Sequence, residues 1–365
     1  MVILNLTMDN MFSFNNFEIN FTYKKKPVNN PIGDETLNGF PNFRYRKVNI
    51  ITGANASGKT TLGKAIMTIL NFISTGNINH IFGTINNPTR DASFTIDYYV
   101  GDGVVRRIDF VANPNAKTID DITIKIFAVK LEKNDTFESY LKKLNETNPS
   151  FDLKDIYSNN VGWAFRFPFD TDEVTYDFDE EYFDEYEGIL NEIIVSLDPA
   201  IEKVKKSKEV AKCFNVYFKN GMQPIPVENN RNIRHLTRLS SGTKYAFNLA
   251  YVYLAVKKRL NGFYYVDEQF SYINNDVEKA FIALLSSMIV NDEQIIFTTH
   301  NTDVLDLNLP IHAYGFLKKD DKKITYINAS SVEKKNNVSI KNDYDNDRFN
   351  VAPNLDKIYS LGEMV

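Results

Sequence analysis

The chain has 365 residues, 43% of them hydrophobic and 13% aromatic, which is room for one large or two ordinary cores and too apolar for a disordered chain. Its formal charge is −5, and its single cysteine, Cys213, rules out an intramolecular disulfide and fits a buried small hydrophobe in a reducing compartment. No basic-then-apolar leader opens it, and the longest apolar helix candidate, Tyr245 to Val256, is interrupted by Asn248 and too short for a bilayer, so a soluble cytoplasmic protein without membrane contact is expected.

Two apolar runs around a polar turn predict a hairpin over residues 3–23, followed by an exposed loop over 24–43. Val48-Asn49-Ile50-Ile51 predicts a buried strand. Directly after it, residues 53 to 60 read Gly-Ala-Asn-Ala-Ser-Gly-Lys-Thr, a complete P-loop, and Thr60 to Met67 reads as the helix that should follow. This pattern has a mechanism. Backbone N–H groups from Gly53 through Asn55, Ser57 and Gly58 form a nest for phosphates, Lys59 reaches the β/γ-phosphates, and the Thr60 hydroxyl ligates Mg²⁺. Thr61 joins the same helix N-terminus, where an anion is favoured.

Ser93 to Ile108 alternates across Gly101-Asp102-Gly103, a hairpin signal, and Thr123 to Leu131 reads as a further strand. Residues 132–213 read as an inserted helical lobe: a polar helix near 136–145, an acidic-aromatic stretch, and helices over Gly188 to Val195 and Ile201 to Ala211. The stretch from Asp170 to Glu187 holds ten acids and no Lys or Arg, so the remaining chain carries a net +5. It is a solvated face or a surface for docking a partner. Short basic clusters, Lys203 to Lys208 and Arg231, Arg234 and Arg238, lie outside it. No sustained heptad predicts a long coiled-coil arm.

Three more elements follow in order. Leu239-Ser240-Ser241-Gly242-Thr243 precedes an apolar helix; Gly262 to Val266 is an apolar strand closed by Asp267-Glu268; Gln294 to Thr299 is another, closed by His300. From 311 onward come a strand, a Lys-Asp loop (Lys318 to Lys323), a second strand and a polar tail. In that tail Asp343-Tyr344-Asp345-Asn346-Asp347 looks like a metal loop, but Arg348 and Asn354 stand where an EF-hand needs Gly and Glu, so a solvated loop is expected. His80, His235 and His312 are isolated and carry no assigned chemistry.

The four elements in this order resemble the Walker A, signature, Walker B and switch histidine of ATP-binding-cassette ATPases. Within them the chain resembles the overcoming-lysogenisation-defect, RecF and SMC-like group. More narrowly it is similar to small AAA-type ATPases of abortive-infection operons. That match rests on Thr298 to Asp306, on Val216 to Gly221 ahead of the signature, and on the tail around Leu355 to Gly362. The resemblance implies an α/β P-loop fold with a mixed central sheet, an antiparallel β-subdomain and an inserted helical lobe. The corresponding division is 1–131, 132–213 and 214–365. It implies ATP and Mg²⁺ as ligands, Asp267 and Thr60 at the metal, Glu268 as general base and His300 at the γ-phosphate. Ser240 and Gly242 would reach the ATP of a second copy, giving a head-to-tail homodimer or a higher oligomer built on it.

The chain departs from the family in three places. Asn10-Met11-Phe12-Ser13-Phe14 lacks the basic residue relatives carry there, none of the three glutamines (Gln223, Gln269 and Gln294) stands where a Q-loop should follow the P-loop helix, and Asn274 replaces a common histidine. The leading expectation is an ATP-hydrolysing switch in anti-phage defence that controls a separate effector, a TOPRIM-type nuclease or another toxin. The alternative is a DNA-repair or chromosome-maintenance ATPase that binds nucleic acid directly. A transporter subunit and a self-contained nuclease fit less well.

Overall fold

The computed structural model describes residues 1–26, 30–152, 162–168, 180–209, 213–221, 225–228, 239–270, 273–320, 323–333, 339–352 and 359–360. The chain opens with the antiparallel pair β1 (Val2–Asp9) and β2 (Phe17–Asn20), then the small hairpin β3 (Thr36–Leu37) and β4 (Phe40–Arg44). Strand β5 (Val48–Thr52) leads into helix α1 (Lys59–Thr75) and the single turn α2 (Asn79–Phe82). Strands β6 (Ala92–Tyr99), β7 (Val104–Ala112) and β8 (Ile122–Lys130) follow, and after them helix α3 (Phe137–Asn145) and strand β9 (Trp163–Arg166). Next come α4 (Phe183–Leu197), β10 (Ile201–Lys206), β11 (Cys213–Phe218), β12 (Ile225–Glu228) and α5 (Ser241–Lys258). The last part is β13 (Phe263–Asp267), α6 (Asn275–Met288), β14 (Gln294–Thr299), β15 (Tyr314–Asp320), β16 (Lys323–Asn328), α7 (Ala329–Val332) and α8 (Ile340–Asp345).

A six-stranded central sheet runs β16-β15-β5-β14-β13-β9, parallel throughout except for β16. Strands β5, β13 and β14 are buried along their whole length, which is why they read as continuous apolar runs. Successive residues point to opposite faces. Val48, Ile50, Tyr264, Val266, Ile295 and Phe297 pack towards α4, α5 and α6. Their alternates Ile51, Phe263, Tyr265 and Ile296 pack towards α1. On its other side α1 meets a five-stranded antiparallel sheet, β2-β1-β6-β7-β8, where Phe72 of the helix contacts Phe94 and Phe110 edge-on. Gln294, buried at the start of β14, exchanges hydrogen bonds with both backbone groups of Ile3 and fixes the first strand to the central sheet.

The mixed sheet and the antiparallel β-subdomain are as expected, and so are the hairpins over 3–23 and 93–108. Residues 132–213 differ in detail. Helix α3 lies on β8, with the Tyr140 hydroxyl donating to buried Asp97 at 2.6 Å. Strand β9 joins the edge of the central sheet beside β13. Ile201 to Lys206 is a strand, not a helix. A register shift between Ile201 and Lys203 brings Ile201 and Val204, three apart, to the buried side, and that spacing mimics a helical period. Asp343 to Asp347 is likewise no solvated loop. Ser339 caps α8 by accepting from Asn342 N, and buried Asp343 accepts from Arg348 at 2.7 Å.

Candidate active site

Strand β5 delivers the chain to Gly53 at its C-terminal edge, and two glycines make the following loop possible. A Cβ on Gly53 would lie 2.5 Å from the Leu317 carbonyl oxygen and 2.7 Å from Ser57 Oγ. Gly58, the residue that caps α1, has φ +105°, and a Cβ there would meet the Ile324 side chain at 2.8 Å. With Ala56 also at φ 62°, the loop bends so that its N–H groups can converge on an anion at the start of a 17-residue helix. The loop from Asn55 to Thr61 floors an open cleft of about 530 Å³, with Ser13, Glu268 and Lys319 in its walls. Ser57 Oγ is buried and has no hydrogen-bond partner among the described residues, an acceptor or donor left for a ligand.

Lys59 is almost completely buried, and its ammonium donates to Gly53 O at 2.8 Å and Ala54 O at 3.3 Å. The same nitrogen lies 3.2 Å from Glu268 Oε1. Strand β13 holds Tyr265 so that its hydroxyl donates to Lys59 O at 2.6 Å, tying the Walker B strand to the first turn of α1. Asp267 ends β13 fully buried; it accepts from Thr60 Oγ1 at 2.6 Å and from Thr298 Oγ1 on the neighbouring strand. Burial raises the Asp267 carboxyl from an ordinary 3.8 to about 6, the hydroxyls and Lys59 opposing and Glu268 assisting. Glu268 takes φ 46°, unusual for a non-glycine residue, with its N–H donating to Thr298 O at 3.0 Å. The backbone turn splits the two carboxylates: Asp267 faces Thr60, and Glu268 faces Lys59.

Thr60 and Asp267 offer hard oxygen donors in direct contact, which suits Mg²⁺. Among the described residues no group of three or more His, Cys, Asp or Glu could hold a metal. A cation held by Thr60 and Asp267 together with phosphate oxygens matches the usual mode for Mg²⁺. His300 follows β14 and is exposed; Thr299 pairs with Thr52, the last residue of β5, so the histidine stands one step beyond the paired strands. It does not line the cleft.

Ser240 and Gly242 lie elsewhere. Ser240 caps α5 by accepting from Thr243 N at 3.1 Å. With Ser241 and Gly242 it opens on a second cleft of about 480 Å³, shared with the start of α6. The two clefts have no residue in common. Asn274 caps α6 by accepting from Asp276 N at 2.8 Å. Two of the glutamines are structural: Gln269 bonds Asn248 and Asp267 O, and Gln294 ties down β1. Gln223, Arg231, Arg234 and Arg238 and the acids from Asp170 to Asp179 lie outside the described residues. Beside Asp267, at the end of β9, the chain places buried Phe167. His312 is a satisfied core histidine, 2.5 Å from buried Glu35 and stacked on Tyr23.

Sequence reasoning missed Thr298, Ser13 and Lys319. Thr298 had a signal, a hydroxyl inside an otherwise apolar strand end. The other two had none, because only strand order brings them to the loop.

A protein family described as "AAA domain, putative AbiEii toxin, Type IV TA system" matches residues 48–306. The chain belongs to this family. This chain's candidate motifs, residues 53–60, 239–243, 267–268 and 300, all fall within the matched span, and its fold is that of an Smc head domain. The Smc head domain with an extended coiled coil bound to the C-terminal domain of ScpA, from Pyrococcus furiosus, superposes with a TM-score of 0.51 at 12% identity, covering 89% of this chain and 95% of that one. The SMC head domain from Thermotoga maritima gives 0.46 at 14% identity over 90% and 99%. The recombination mediator RecF with ATP gives 0.47 at 11% over 89% and 99%. At such identities the likeness is one of fold, and the first of the three carries it. No curated protein matches the chain in sequence.

Proposed function

We propose that this AAA-family ATPase is an ATP-hydrolysing switch that closes as a head-to-tail dimer and controls a separate effector in anti-phage defence. The observation that carries the catalytic part is the pair of diverging carboxylates at the end of β13, one on Thr60 and one on Lys59. An arriving triphosphate takes the Lys59 ammonium for its β/γ-phosphates and leaves Glu268 free to accept a proton from the attacking water. Thr60 and Asp267 would hold Mg²⁺, which when bound offsets charge on the phosphate oxygens. Backbone N–H groups of residues 55–60 fix the phosphates in line, and His300, one residue past the end of β14, is the group assigned to the γ-phosphate once the site closes.

Ser240 and Gly242 supply a hydroxyl and bare backbone at the exposed N-terminus of an 18-residue helix, in a cleft apart from the P-loop of the same chain. A second copy, packed head to tail, would bring that surface to the γ-phosphate. The family's description as a putative AbiEii toxin supports placing the switch in phage defence. Glu268→Gln tests the reading. The variant should bind ATP as wild type does, turn over roughly 10²- to 10⁴-fold more slowly, and accumulate as dimer on sizing columns with ATP. Turnover near the wild-type rate would assign the base to another group.

A further inference from the structure

Lys318 and Lys319 are adjacent on β15 but face opposite sides of the β15–β16 hairpin. Lys318 shares its side with Asp320 and pairs with it at 3.3 Å. Lys319 shares its side with Leu317, two residues earlier, and with Ile324, its directly opposed partner on β16. That is the side that meets the P-loop. Leu317 and Ile324 are buried in the cluster that includes Leu62 and Ile66 of α1, and Ile324 covers the Cα of Gly58. Lys319 is the first residue on this face to emerge, and it emerges into the wall of the phosphate cleft. No carboxylate among the described residues pairs with it.

We infer that Lys319 is a second phosphate-binding cation of the nucleotide site, acting on the α/β end of the polyphosphate. This rests on the cleft being the ATP site proposed above. Sheet order fixes the end. Strand β15 flanks β5 on one side, while β14 and β13, which carry His300 and Glu268, flank it on the other. The hydrolytic groups and Lys319 therefore stand on opposite sides of the loop, and Lys319 holds the part of the nucleotide that ATP and ADP share. The cleft has need of it: of its two lysines, Lys59 is already engaged by Glu268, so Lys319 is the cation free to meet an incoming anion first.

Binding of ATP and of ADP is measured by calorimetry for the wild type, Lys319→Ala, Lys319→Arg, Lys318→Ala and Lys59→Ala, with steady-state hydrolysis alongside. Lys319→Ala should weaken ATP and ADP alike, by about 5- to 20-fold, as expected for one charge-assisted contact in a solvated cleft. It should raise KM by the same factor and leave kcat within twofold. Lys319→Arg should recover most of the affinity, and Lys318→Ala should match the wild type. Affinities within twofold of wild type in Lys319→Ala, while Lys59→Ala binds poorly, would overturn the role of Lys319 alone. A loss confined to ATP and kcat would overturn its place at the α/β end. A wild-type protein that binds neither nucleotide would overturn the ATP site itself and this inference with it.

Discussion

Asp267 concentrates the electrostatics of the site in one side chain. Three hydroxyl or ammonium groups favour its ionised form, yet burial outweighs them and lifts its pKa from 3.8 to about 6. The folded protein therefore keeps a proton on Asp267 between about pH 4 and pH 6, where the unfolded chain has already released it. This group's contribution to stability is complete below pH 4 and is lost as pH rises through 6, a fall of roughly 3 kcal/mol. Thermal unfolding in chelator without nucleotide, compared between the wild type and Asp267→Asn, should show it: the variant gains on the wild type from pH 4 to 6.5. A constant difference across that range would mean the carboxyl titrates normally. Glu268 contributes differently. Its positive φ separates its carboxylate from that of Asp267, so two residues adjacent in sequence serve two partners.

Among the elements, α1 and β13 meet directly behind the P-loop. Gly63 sits where the helix crosses the strand, and a Cβ there would fall 2.5 Å from Tyr265 Cε1 and 2.8 Å from Phe167 Cε1. Alanine improves helix propensity by about 1 kcal/mol, but overpacking of this kind costs about 1–3 kcal/mol and shifts the ring. Since the Tyr265 hydroxyl holds the Lys59 carbonyl, the disturbance reaches the P-loop. Gly63→Ala should lower the melting temperature and weaken ATP binding together; a variant as stable as wild type would show that the ring moves aside freely. The elements also show what period alone conveys. The strands β5, β13 and β14 were legible because both faces are buried and the runs are contiguous. Strand β10 was read as a helix because its bulge brings Ile201 and Val204 to one side. Neither β9, four residues long, nor its place at the sheet edge had a local signature.

For the whole molecule, the separation of the two clefts leads to a complementation experiment. Ser240→Arg damages the signature and Lys59→Ala the P-loop, so each alone should be inactive. In a mixture, mixed dimers carry one intact site and one doubly damaged site, and part of the activity should return. Mixed dimers that form and stay inactive at every ratio would argue for a site complete within one chain.

The acidic stretch needs a narrower test than its charge suggested. Asp184 and Glu187 pair with Lys206 and Lys205 of β10, and Glu185 with Lys257 and Lys258 of α5. Tyr186 is buried and donates to Phe247 O at 3.1 Å. Removing all of 170–187 would therefore cut into the core, so the docking test is confined to 170–179, which include Tyr176 and Phe178 and lie outside the described residues. Replacing 170–179 with a Gly/Ser linker should leave ATP hydrolysis near wild type and abolish recovery of a protein effector by the Glu268→Gln variant from the native host. Recovery of DNA alone, unaffected by the replacement, would favour the repair ATPase.

The sequence by itself determined the P-loop, the Asp267-Glu268 pair, the buried strands behind them and the family, because each is written in contiguous residues whose spacing has one physical reading. It also placed Ser240 at a helix N-terminus, where Ser240 indeed caps α5. Only the tertiary structure decided that Thr298 shares Asp267 with Thr60, that Lys319 faces the loop while Lys318 does not, and that three acids of a conspicuous acidic run, Asp184, Glu185 and Glu187, pair with lysines from two other elements. Those facts depend on strand order and hairpin register. Both are set by how distant apolar faces bury one another, and no local pattern of residues carries that information.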